Sequence, residues 1–64
     1  MVGQPDVGSR WYAWGDTYQV IGPDRRDGEE SVRLRFVRKP KVEANIILSL
    51  FWKYATPSQG DSDG

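Results

Sequence analysis

Arg33 and Arg35 alternate with Val32, Leu34 and Phe36. On an extended backbone the two guanidinium groups therefore leave one face and the three apolar side chains the other. Two residues of strand span roughly 6.6–7 Å, near the phosphate spacing along a nucleic-acid strand. Arg38, Lys39 and Lys41 extend this basic track, provided that the break at Pro40 keeps its direction. Residues 31–41 contain these five cations and no acid. A groove of this kind needs aromatic faces on which bases can stack, and Trp11, Tyr12, Trp14, Trp52 and Tyr54 could supply them. The same pattern has a purely structural reading, because Arg and Lys on a strand face discourage edge-to-edge pairing.

Other chemistry finds little support. The chain has no His and no Cys, so the commonest general base and the most reactive nucleophile are both missing. Disulfides and the usual zinc sites are excluded for the same reason. Asp24, Asp27, Glu29 and Glu30 are close in sequence, but Arg25 and Arg26 lie among them and they read as a solvated acidic loop. They lack the spacing and closing Glu of a calcium loop. No Gly-rich phosphate loop or nucleophile elbow occurs. The expectation is a non-enzymatic protein with no cofactor and no metal.

The elements that must hold these residues follow from the apolar pattern. Gly3, Pro5 and Gly8 mark residues 1–8 as a flexible arm. Trp11, Tyr12 and Trp14 form a dense aromatic cluster before a Gly15-Asp16 turn. Residues 16–22 read as a strand rich in β-branched and aromatic side chains, and residues 22–30 as a solvated hairpin loop with a tight turn at Asp27-Gly28. The basic strand follows over 31–38. Pairing the two strands puts Tyr18 and Val20 beside Val32, Leu34 and Phe36 on one buried face. After Lys39-Pro40-Lys41, residues 42–48 alternate again. Ser49 can cap a short 3₁₀ turn over 50–54, the alternative being a strand continuing through Phe51. Thr56-Pro57 ends the domain, and the polar residues 58–64 read as a disordered tail.

A chain of 64 residues has room for one small domain. Its core must rest on packed aliphatic and aromatic side chains or on oligomerisation. Nine basic and nine acidic side chains balance, which argues against strong non-specific attraction to nucleic acid or to anionic membranes. The longest apolar run is far too short to span a bilayer, and no signal-peptide pattern opens the chain. A cytoplasmic location is expected. Short strands, Gly- and Pro-rich turns and no long helix point to a small all-β protein, a curled five-stranded barrel over residues 9–57.

The segments Gly8-Ser9-Arg10-Trp11 and Thr17-Tyr18-Gln19-Val20-Ile21-Gly22, followed by a polar loop, a Val-rich strand and Leu48-Ser49-Leu50-Phe51, resemble small uncharacterised domains of bacteria and their phages. Those look like Src-homology-3-type barrels, and the resemblance covers roughly residues 8–57. The loop 23–30 and the basic strand depart from it. It implies a Src-homology-3-like fold and carries no activity onto particular residues. Two functions are expected from the whole reading. The leading one is nucleic-acid contact through Arg33, Arg35, Arg38, Lys39 and Lys41, with Trp11, Trp14 or Trp52 beside them. The alternative is a protein–protein interaction module, such as a phage-type accessory or inhibitor protein, which could homodimerise.

Overall fold

Two dipeptides ending in glycine set the strand pairing. In the computed structural model, which describes residues 3–58, Ala13 pairs with Asp16 and Arg26 with Glu29. Each connecting turn therefore holds two residues, Trp14-Gly15 and Asp27-Gly28. All four have positive φ, 50° and 80° in the first turn and 52° and 82° in the second. Positive φ at both central residues is the mark of a type I′ hairpin, whose twist suits the flanking strands. Asp-Gly is a favoured pair for this turn and Trp-Gly is not.

The first turn joins β1 (Arg10–Ala13) to β2 (Asp16–Arg26), and the second joins β2 to β3 (Glu29–Phe36). β4 (Glu43–Ile47), α1 (Leu48–Tyr54) and β5 (Thr56–Pro57) complete the described chain. All pairings are antiparallel, in one five-stranded sheet of order β4-β3-β2-β1-β5. The all-β expectation holds at this level. β4 and β5 stand at the two edges, and among the described residues no pairing between them closes the sheet into a barrel.

Register confirms the inward face. Tyr18 lies opposite Phe36, Val20 opposite Leu34, Leu34 opposite Ala44 and Val32 opposite Ile46. A bulge falls between Val20 and Gly22, so Ile21 has no partner of its own on β3. The extra residue bends β2 and inverts its alternation: Pro23, an odd-numbered position, now faces Val32. One long strand can thus serve two differently oriented halves of the sheet. α1 covers the inward face. Leu48 and Phe51, three apart on the helix, are buried with Ala13, Tyr18, Val20, Val32 and Leu34, and Trp11 packs on their margin. The Trp11 and Phe51 ring centroids are 5.1 Å apart.

Several expectations change. The polar stretch 22–30 is not a loop, because β2 and β3 run on through it to the Asp27-Gly28 turn. Its backbone groups are satisfied by the ladder, so it needs no apolar residues to be regular. The 3₁₀ turn is instead an α-helix beginning at Leu48, with Ile47 rather than Ser49 at its cap position and no side-chain cap. Burial of Leu48 and Phe51 offsets the poor cap, and the helix ends where Ala55 turns extended and donates to the Phe51 carbonyl at 2.8 Å. Thr56-Pro57, expected only to end the domain, forms β5 against Tyr12 and Trp11.

The stretch expected as a loose arm is tied to the domain over residues 3–8. Gly8 donates to the Val20 carbonyl (2.8 Å) and Gln4 to the Ser31 carbonyl (3.1 Å), while Trp52 Nε1 donates to the Gly3 carbonyl (2.8 Å). Pro5 is buried. Of the expected C-terminal tail, all but Ser58 lies outside the described residues.

Candidate functional site

Antiparallel connectivity places two groups of charged residues at opposite ends of the sheet. The β2–β3 hairpin tip carries Asp24, Arg25, Arg26, Asp27, Glu29 and Glu30 at one end. The β1–β2 turn and the β3–β4 connection share the other end, pinned there by the Val37 N–H donating to the Thr17 carbonyl at 3.0 Å. That connection bears Arg38, Lys39 and Lys41, all exposed. α1 packs on the inward face and brings Tyr54 to the same end, with Lys53 beside it.

Trp14 and Tyr54 meet there with ring centroids 5.7 Å apart and planes inclined at 49°. Both are about half exposed, at 53% and 50%. Lys53 Nζ lies 5.5 Å from the centroid of the Tyr54 ring, close enough for a cation–π interaction. Trp14 holds φ at 50°, a region that is strained for a bulky side chain. Such strain on an exposed aromatic is the kind found at binding positions.

A cleft of about 300 Å³ opens at this end of the sheet, lined by Asp16, Phe36, Arg38, Lys39 and Val42. Tyr18 backs Phe36 at 4.7 Å between ring centroids. Burial, and secondarily the negative charge of Asp16, push the Tyr18 phenol above its ordinary value.

On the strand face Arg33 has acidic partners from β2 and β4. Arg33 Nε donates to Asp24 Oδ2 at 3.3 Å, and its Nη1 lies 3.7 Å from Glu43 Oε1. Asp24 also accepts from Asn45 Nδ2 and from the Arg25 backbone, both at 2.8 Å. The Arg25 backbone N–H chiefly, with Arg33 and Asn45 adding to it against partial desolvation, holds the Asp24 carboxyl below the usual range. Arg35 is half-buried across from Gln19 and Glu43, and its enclosed Nε has no acceptor among the described residues. Arg33 and Arg35 are thus built into the sheet surface, while Arg38, Lys39 and Lys41 project from its end.

The three tryptophans also separate. Trp11 is half-buried and packs edge-on against Phe51 and Trp52. Trp52 is 39% exposed and tied through its indole N–H to Gly3. Trp14 alone of the three joins the cationic end. Sequence reasoning did not single out Asp16, Phe36, Val42 or Lys53 for this site. The one signal available was Trp14-Gly15 itself, a two-residue turn that would carry an aromatic to the tip of a hairpin.

Among the described residues no group of His, Cys, Asp or Glu could hold a metal ion, and no helix is long and apolar enough to cross a membrane. No family model, no curated protein and no solved structure matches the chain.

Proposed function

We propose that this chain is a non-enzymatic module that binds single-stranded nucleic acid at the cationic, aromatic end of its sheet. The observation that carries this reading is the exposed Trp14–Tyr54 pair standing at the same end as Arg38, Lys39, Lys41 and Lys53. Aromatic faces take bases irrespective of sequence and neighbouring cations take phosphates.

The scaffold reads as a partly open Src-homology-3-like barrel. The strand order, the short helix between β4 and β5, and the bulge that bends β2 all support that assignment. A second reading, association of two copies along β4, rests on that strand standing at an open edge with Ile47 only half-buried. It requires sedimentation that shifts with concentration.

Fluorescence anisotropy with a labelled oligothymidine tests the leading reading. Neutralising three to four phosphates predicts a slope of log K against log salt of about −2 to −3, at ~0.7 per phosphate for a single strand. No binding at low salt refutes it.

A further inference from the structure

The cleft at the cationic end of the sheet combines features that a general phosphate-and-stacking surface does not require. Its Phe36 and Val42 walls offer apolar contact to a flat ring. Its rim carries the carboxylate of Asp16 together with Arg38 and Lys39. Asp16 Oδ1 accepts from the Thr17 backbone N–H at 2.9 Å, which fixes the carboxylate in place. The opposite wall is fixed as well. Phe36 N–H donates to the Val42 carbonyl, Val42 N–H to the Lys39 carbonyl and Lys39 N–H to the Phe36 carbonyl, at 3.1, 2.8 and 3.2 Å. The cleft is at the small end of ligand pockets, a size for one ring system rather than an extended ligand.

An ionised carboxylate only accepts hydrogen bonds. Facing a base, it is satisfied by an edge that presents neighbouring donors. Guanine presents N1–H and the N2 amino group side by side. Adenine and cytosine each set one amino group beside an acceptor nitrogen, and thymine or uracil flanks its single N–H with two carbonyls. Those bases leave an acceptor facing the Asp16 carboxylate, a mismatch that costs affinity. Arg38 and Lys39 are placed to take the adjoining phosphate.

We infer that the cleft of Asp16, Phe36, Arg38, Lys39 and Val42 is a guanine-selective subsite. The inference rests on the single-strand reading above and deepens it. The base stacks on Phe36 and pairs with Asp16, and the strand continues over Trp14 and Tyr54.

The test compares short oligothymidines that carry one central guanine, adenine or cytosine, read by anisotropy against the wild-type chain and Asp16→Asn. The Asn side chain keeps an oxygen for the Thr17 N–H but brings a donor against the guanine edge. Guanine is expected to bind about tenfold tighter than the other bases, with that preference lost in Asp16→Asn and the affinity for plain oligothymidine raised, because the variant removes a negative charge and an acceptor that faces the thymine carbonyls. Guanosine monophosphate should likewise displace a labelled strand better than adenosine monophosphate. Equal binding of all the oligonucleotides overturns the subsite while leaving the single-strand reading intact. Failure of every oligonucleotide to bind overturns both.

Discussion

The indole of Trp14 packs on the ring of Tyr54 at 5.7 Å although Trp14 occupies a left-handed backbone conformation, φ 50°. The packing joins the first hairpin turn to the end of α1, and it keeps both rings half exposed. Turn conformation alone would place Asn or Asp at this position, as it does Asp27 in the equivalent turn. Trp14→Asn relieves about 1–2 kcal/mol of backbone strain and gives up an aromatic pair worth about 0.5–1.5 kcal/mol, so stability by urea unfolding should stay within about 1 kcal/mol of wild type. The variant should weaken oligonucleotide binding about tenfold, through loss of a stacking platform. Loss of stability with unchanged binding would mean that Trp14 serves packing.

The two groups of basic residues should separate in a charge-removal experiment. Arg33→Ala removes an exposed ion pair with Asp24 and Glu43 and should cost under about 1 kcal/mol of stability. Its oligonucleotide affinity should stay near wild type. Replacing Arg38, Lys39 and Lys41 together by Ala should leave the melting temperature nearly unchanged. The salt slope should shrink by ~0.7 for every phosphate no longer neutralised, and affinity at low salt should fall more than tenfold.

Asp24 gives the fold a defined acid sensitivity. Its carboxyl is held below the ordinary value in the folded state, so its contribution is complete above the ordinary carboxylate range and is lost as pH falls through the folded value. Stability should decline below about pH 4 as the bonds to Arg33, Asn45 and the Arg25 backbone are given up. Asp24→Asn should flatten that part of a melting-temperature curve against pH. An unchanged acid limb in the variant would assign the decline to other carboxylates.

Phe51 is the largest fully buried side chain and touches Trp11 and Trp52. Phe to Ala in a core costs about 3–5 kcal/mol, comparable to the roughly 3–5 kcal/mol that a core of this size supplies. Phe51→Ala should be unfolded at room temperature by circular dichroism. Phe51→Leu should remain folded with a lower melting temperature.

The period-two runs carried most of the fold. Tyr18, Val20, Val32, Leu34 and Phe36 share the inward face as their alternation requires, and Asp27-Gly28 sits at a hairpin turn. What the pattern missed has physical causes. Residues 22–30 form strand because ladder hydrogen bonds, which leave no trace in side-chain polarity, satisfy their backbone. α1 forms from Leu48 because docking of Leu48 and Phe51 outweighs the capping preference of Ser49. The basic track divides because β4 brings Glu43 and Asn45 beside Arg33, and the hairpin brings Asp24. None of those three is close to Arg33 along the chain. The cleft at Asp16 joins the start of β2 and the end of β3 to the β3–β4 connection and had no local sequence mark.

The most direct test of the proposed site is a ¹H–¹⁵N correlation spectrum of the full chain, titrated with a short single-stranded oligonucleotide at low salt. The expected perturbations fall on the Trp14 indole N–H, on the backbone of Gly15, Asp16, Arg38, Lys39 and Lys41, and on Lys53 and Tyr54. Arg33, Asp24 and the Asp27-Gly28 turn should stay unmoved. A spectrum that does not change, or changes confined to Arg33, Arg35 and the hairpin, would contradict the site.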